Sequence, residues 1–405
     1  MIGYKGFDKN FKCKDFQYEV GQTYKFDGKV EICECGFHFC DMPLAVFEFY
    51  PPAYSRFALV EAVGNIVNDD GDKHKFCTDE LKIIKELTLD ELIAATPTKN
   101  VATSIGNFSA ATNTGYYSAA TNTGDFSATT NTGDCSVATN TGDFSATTNT
   151  GNCSAATNTG KYSAVTNTGY RSAATNTGDR SAATNTGNCS AATNTGDRST
   201  ATDTGDFSVA TNTGKCSAAT NTGKCSAATN TGYYSAATNT GKYSAATNTG
   251  YRSAATNTGD RSTATDTGDF SVATNTGDRS AATNTGNCSA ATDTGDFSVA
   301  TNTGKCSAAT NTGYYSAATN TGDFSAAMNT GGYSAATVSG KSSVAMIIGR
   351  DSKAKGAIGC WLVLGEWNDN ELADVQVFKV DDVNIKADTY YKLKGGHAVE
   401  AEDND

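Results

Sequence analysis

Apolar and polar positions alternate in a nine-residue frame along most of this chain. From Gly106 to Gly349 a glycine stands every nine residues without a slip, and the unit reads Gly-x-x-Ser-Ala-Ala-Thr-Asn-Thr, as from Gly115 to Thr123. With the glycine as slot 0, slot 3 is Ser in every unit, from Ser109 to Ser352. Slot 5 is Ala apart from Thr129, Thr147 and Val165. Slot 4 is mostly Ala, with Thr200, Val209 and Lys353 among its replacements. Slot 6 is mostly Thr, replaced by Met328, Met346 and Lys355. Slots 1 and 2 vary most. A fixed short period over so long a stretch predicts a solenoid whose units stack on their neighbours.

Period-two alternation puts slots 3 and 5 on one face of a strand and slots 4 and 6 on the other. Lys353 and Lys355 decide which face is outside, because a lysine does not fit so narrow an interior. The inward stack is then Ser109, Ser118, Ser127, Ser136, Ser145, Ser154 and their successors, alternating with alanine. Their hydroxyls need partners, found in each other or in backbone carbonyls. The outward columns carry Thr112, Thr121, Thr130, Thr139, Thr148 and Thr157. Asn-Thr-Gly at slots 7, 8 and 0 predicts the turn, with Gly and Asn supplying left-handed conformations. Nine residues are too few for a whole coil. Two units in a flattened 18-residue coil are favoured over three, although slots 1 and 2 show no longer alternation that decides.

Composition divides the chain into three parts. Residues 1–96 form an aromatic-rich globular mixture, read as a small α+β domain. It has a strand near Phe57 to Val63, a helix or strand around Leu81 to Leu87, and a helix start at Thr88-Leu89-Asp90-Glu91. Residues 97–356 are the all-β solenoid, a parallel β-helix or β-roll. Residues 357–405 read as a β-meander: Cys360 to Glu366, a turn at Asn368-Asp369-Asn370, Val375 to Val380, and Thr389 to Leu393, then an acidic tail. The flanking domains are expected to cap the two ends, since open solenoid ends expose unpaired strand edges. Asp197 to Gly214 and Asp260 to Gly277 are identical blocks, a sign of expansion by recombination.

The net charge of −12 disfavours nucleic-acid backbone as a partner. No apolar run is long enough for a membrane span. The start, Met1-Ile2-Gly3-Tyr4-Lys5-Gly6, carries no signal peptide, and the 13 cysteines fit reduced thiols in a cytoplasm. No cofactor is expected, the partner is an unspecified protein, and oligomers are compatible with the pattern.

Candidate chemistry is sparse. Cys33, Cys35, His38 and Cys40 lie close together, with Cys13, His74 and Cys77 elsewhere in the same domain, and Cys and His are zinc ligands. Their spacing is not a standard zinc pattern, and on one strand they would point to both faces, so core and turn roles are preferred. Glu48 and Glu61 are nearby carboxylates without a distinguishing spacing. The repeat cysteines, such as Cys135 and Cys153, share slot 2 with Phe, Tyr and Arg and read as variable positions.

Several families resemble parts of this pattern. The Gly-x-x-Ser-x-Ala skeleton resembles the β-roll repeats of trimeric bacterial adhesin heads. The period of nine is shared with calcium-binding toxin repeats, whose Gly-Gly-x-Gly-x-Asp is missing here. Thr-x-Thr resembles insect antifreeze and ice-nucleation solenoids, which implies an ice-binding alternative. The architecture resembles pentapeptide-repeat proteins, some of which are acidic DNA mimics. Gly3-Tyr4-Lys5-Gly6-Phe7, Tyr18 to Tyr24 and Gly36-Phe37-His38-Phe39-Cys40 resemble an uncharacterised N-terminal domain of phage, prophage and gut-bacterial repeat proteins. Gly359 to Leu364 and Ile385 to Tyr391 resemble the end of the same proteins. The Tyr-Lys-Gly-Phe start and Gly-Phe-His also resemble ADP-ribosyltransferases, which implies an enzymatic head with His38 near nicotinamide. The preferred reading is a non-enzymatic structural or interaction protein.

Overall fold

The computed structural model describes residues 1–32, 34–52, 54–68, 74–96 and 101–402. The chain is a parallel β-solenoid of about 15 coils with a small β-rich N-terminal domain and an antiparallel C-terminal strand cap. It divides into two compact units, 1–195 and 196–405, and both carry coils.

In the first unit, the N-terminal domain is a seven-stranded antiparallel sheet. Its strands are β1 (Ile2–Phe7), β4 (Thr23–Lys25), β5 (Phe37–Cys40), β6 (Arg56–Ala62), β7 (Ile66–Asn68), β8 (Lys75–Thr78) and β9 (Glu80–Leu87). Lys12–Cys13 (β2) and Phe16–Gln17 (β3) pair as a separate small hairpin. The sheet order is β4-β9-β6-β1-β5-β8-β7, so β1 is central, between β6 and β5. One aromatic core gathers Phe7, Phe11, Tyr18, Phe37 and Phe39 with Leu81 and Ile83. The segment Leu81 to Leu87 is strand, not helix. The expected helix start is real: Thr88 caps α1 (Leu89–Ala94) with a reciprocal bond to Glu91.

Among the described residues, this domain packs against the side of the coils rather than over their end. Its 3-10 helix, Pro43–Glu48, packs Leu44, Val46 and Phe47 with Leu92 of α1 against Ala119, Val137 and Ala155. Those three occupy outward slot 4, and all are buried. The Tyr54 hydroxyl donates to the Ser190 carbonyl at 2.8 Å, and Tyr117 bonds Glu48. At the start of the stack, inward Ala102 is still half-exposed and Phe108 is open to solvent.

The coil geometry is the same in both units. Each strand covers slots 4 to 7 and pairs in parallel with the strand 18 residues on: Ala119↔Val137 in the first unit, Ala236↔Ala254 in the second. Two nine-residue units therefore make one coil. The facing is as the lysines require: Ser235, Ala237 and Asn239 are buried, while Ala236 and Thr238 are half-exposed. Asn is thus the last inward strand residue, not part of the turn.

The interior is joined by hydrogen bonds more than by apolar contact. Asn239 Nδ2 donates to the carbonyls of Ser226 (3.0 Å) and Ala245 (3.2 Å), and its Oδ1 accepts from the Gly241 N–H at 2.8 Å. The Ser235 N–H donates to Ser253 Oγ at 3.2 Å, and Ser235 Oγ donates to the Tyr233 carbonyl at 2.9 Å. Serine hydroxyls thus bond mainly to backbone, the second of the two expected partners.

The turn departs from expectation in its left-handed residue. Beyond Gly106, the repeat glycines have no positive φ. Slot 2 carries it instead, for example Phe126 (φ 54°), Arg198 (57°) and Tyr234 (55°). Glycine is needed for space. A Cβ on Gly232 would lie 1.8 Å from the carbonyl oxygen of Gly214, one coil earlier. Coils stack backbone to backbone at this corner.

In the second unit, the end of the chain forms two hairpins, one on each sheet, in place of a single meander. Trp361–Asn368 pairs in parallel with Val344–Ile347 and then antiparallel with Glu371–Lys379. Tyr391–Lys394 pairs with His397–Glu400, and Tyr391 meets Ala354 antiparallel. Cys360, Leu362, Leu364, Val380 and Tyr391 replace the alanine core with bulky side chains. Lys353 and Lys355 lie on the outer face, with their ammonium groups 5.0 and 4.4 Å from the centre of the Tyr390 ring. No helix among the described residues is long and apolar enough to cross a membrane.

Candidate functional site

The central strand of the N-terminal sheet carries a lysine where burial is complete. On β1, Lys5 stands on the same side as Phe7 and is 3% exposed. Its Nζ donates to the His38 carbonyl at 2.7 Å and lies 3.7 Å from Cys13 Sγ. The rings of Tyr18 and Phe7 stand 5.4 and 5.7 Å from it, so their faces supply part of the lost solvation. Burial pushes the Lys5 ammonium below its usual range, and the Cys13 sulfur partly opposes that.

Lys5 stands at a cavity of about 250 Å³. Cys13 comes from β2, His38 and Cys40 from β5, and Tyr50 and Phe49 from the segment after the 3-10 helix. Lys14 and Lys75 complete its polar lining. The Tyr50 hydroxyl donates to Cys13 Sγ at 2.7 Å. Burial, helped by Cys13, holds the Tyr50 phenol above its ordinary range. The Tyr50 ring lies over Gly6, where a Cβ would meet it at 2.4 Å. The Lys75 ammonium sits 4.7 Å from the centre of the Phe49 ring. His38 is held down to about 4 by burial first, then by Lys5, Lys75 and Lys14, so its imidazole is neutral at pH 7.

The sequence candidates are distributed unevenly around this cavity. His38 and Cys40, two apart on β5, both reach it. Cys35 does not: its Sγ contacts the Lys29 carbonyl at 3.0 Å, and Cys77 Sγ contacts the Cys35 carbonyl. Cys33 lies outside the described residues. Among the described residues, no three His, Cys, Asp or Glu side chains assemble as a metal-holding group. His74 pairs with Asp41 at 2.8 Å. Glu48 bonds Tyr117, and Glu61 is half-buried on β6. Sequence reasoning passed over Lys5 and Tyr50, and weighed Cys13 only beside the zinc-type Cys and His residues. The one available signal was a lysine inside the otherwise apolar and glycine-rich run Ile2–Phe7.

The repeat offers a second kind of surface. Ser118, Ser127, Ser136, Ser145 and Ser154 are buried, and Ser109, in the first coil, is half-buried. Thr121, Thr130, Thr139, Thr148 and Thr157 are half-exposed and Thr112 is exposed. Asp90 and Ile93 of α1 stand with Thr103, Thr121 and Thr139 around one groove, so part of one threonine column faces protein.

Slot 2 forms ladders. In the first unit, Phe108, Phe126, Phe144 and Tyr162 stack with centroid spacings of 5.1, 4.9 and 4.8 Å, and Arg180 lies over Tyr162 at 5.3 Å. In the second, Phe297, Tyr315 and Tyr333 stack at 5.2 and 5.1 Å, with Arg279 over Phe297. These residues stand 18 apart in the chain, so the 18-residue period was present locally in slot 2.

Residues 1–95 match the family described as "Domain of unknown function (DUF7666)". No curated protein matches the chain. No solved structure matches it either.

Proposed function

We propose that this chain is a non-enzymatic structural or interaction protein in which the solenoid is a scaffold presenting varied side chains in regular columns. The carrying observation is the division of labour inside each unit. Inward slots 3, 5 and 7 are nearly constant and committed to coil-to-coil packing and hydrogen bonds, as at Ser235, Ala237 and Asn239. Outward slots 1 and 2 vary freely and stand at coil spacing. Such an array suits repeated weak contacts with a partner or with a regular surface. The resemblance of both flanks to phage and gut-bacterial repeat proteins supports a bacterial or phage source, and the free cysteines suit a reducing cytoplasmic setting.

Affinity capture from source-cell lysate tests this reading. The full chain is compared with a variant in which Phe126, Phe144, Phe297 and Tyr315 are replaced by Ser. Proteins retained by the first and lost from the second support it. Identical captures, or turnover of a small molecule by the purified chain, count against it.

A further inference from the structure

We propose that the cavity beside β1 in the N-terminal domain binds a small organic anion: a carboxylate or phosphate monoester on a compact, apolar, ring-sized body. This goes beyond the scaffold reading and does not depend on it. The first argument is charge. The chain carries 43 acidic against 31 basic side chains, yet three lysines, Lys5, Lys14 and Lys75, line one cavity. Among the described residues no Asp or Glu lines it. A lining of this sign suits a bound anion.

The second argument is construction. Lys5 is fixed from below by the His38 carbonyl and flanked by Cys13, so its position is set before any ligand arrives. Tyr50 is seated on Gly6, where no larger residue fits. The third argument is shape. Phe39, Val46, Phe49 and the Tyr4 ring give the cavity mostly apolar walls, and its volume of about 250 Å³ suits a single ring with its acid group. Few polar groups on an apolar wall is the usual form of a small-molecule site.

The test is titration calorimetry of the full chain with phenyl phosphate, benzoate and benzyl alcohol. At least one anion should saturate a single site, with benzyl alcohol about tenfold weaker or worse. Whichever anion binds more tightly assigns the acid group. In the double variant Lys14→Gln/Lys75→Gln, whose changes fall on an exposed and a half-exposed side chain, anion affinity should drop about tenfold and benzyl alcohol should be unaffected. A second readout is the NMR titration of His38. Burial first, and the lysines after it, hold its pKa near 4; a bound anion offsets the lysine part, so that value should rise. The proposal is overturned if neither anion saturates. It is equally overturned if benzyl alcohol binds as tightly as both anions, if the double variant keeps full anion affinity, or if His38 titrates unchanged in the saturated protein.

Discussion

The N-terminal domain and the repeat are both mostly strand, yet their interiors are held by different forces. The domain buries large side chains, Phe7, Phe47, Leu44, Leu81 and Ile83 among them. The coils bury Ala, Ser and Asn. Alanine removes little apolar area from water, so the coil gains less from the hydrophobic effect per residue. It gains from completeness: inward Asn and Ser side chains take up backbone groups that would otherwise be stranded. A heterogeneous apolar core tolerates compensation between neighbours. A periodic, hydrogen-bonded interior at backbone contact distance has no slack.

The sharpest way to break that contrast is Gly232→Ala. The added Cβ meets the backbone of the previous coil, and the cost should be about 5 kcal/mol or more, among the largest for a single methyl. Urea unfolding of the full chain measures it. A loss below about 1 kcal/mol would mean that the corner can open. Next is Phe47→Ala in the domain, where a cavity next to Phe57 and the first coils should cost about 3–5 kcal/mol. Asn239→Ala removes only a small side chain, yet leaves the Ser226 and Ala245 carbonyls and the Gly241 N–H without it, and should cost about 1–3 kcal/mol. If Asn239→Ala were as mild as a surface change, the hydrogen-bonded account of the coil would fail.

A smaller effect distinguishes the second unit. There Asp203, Asp266 and Asp293 stand in the slot of the buried asparagine. Oδ1 keeps the bond to the glycine N–H, but Oδ2 has no partner. Burial raises their acids to about 8, 7 and 7. These folded values lie above the unfolded one near 4. The protonated acids' contribution to stability is therefore full below about pH 4 and is lost as pH rises through 7 to 8. The triple variant Asp203→Asn, Asp266→Asn, Asp293→Asn should melt several degrees higher than the parent at pH 8.5, and the gap should close towards pH 4. Both tryptophans, Trp361 and Trp367, lie on the strand Trp361–Asn368 of the first C-terminal hairpin, so fluorescence reports on this unit. An equal gap at both pH values would exclude the titration. Smallest of all, Thr238→Lys should change stability by less than about 0.5 kcal/mol, because Lys355 already occupies its slot on the outer face.

The solenoid was legible because its signals are local and repeated. Alternation set the facing, and two lysines at Lys353 and Lys355 oriented it. The role of asparagine was not legible. A turn residue and a buried strand-end residue share the same composition, and only the coil's width shows that Asn239 reaches across to Ser226. The left-handed slot was hidden for a related reason. Phe, Tyr, Cys and Arg are unusual at positive φ, and glycine, the usual choice, was already spoken for by close approach. The lysine-lined cavity depends on β1 lying between β5 and β6, a non-local pairing that no spacing in the chain announces.

The two identical blocks, Asp197 to Gly214 and Asp260 to Gly277, now have a geometric meaning. They are 63 residues apart, an odd number of nine-residue steps. Thr200–Asp203 pairs with Ala218–Asn221 in one sheet, whereas Thr263–Asp266 pairs with Ala245–Asn248 in the other. The same sequence therefore works on either face of the coil. Each nine-residue step acts as a half-turn screw, and the two faces are interchangeable to the chain's own grammar. One molecule therefore presents the same row of side chains from both of its sheets.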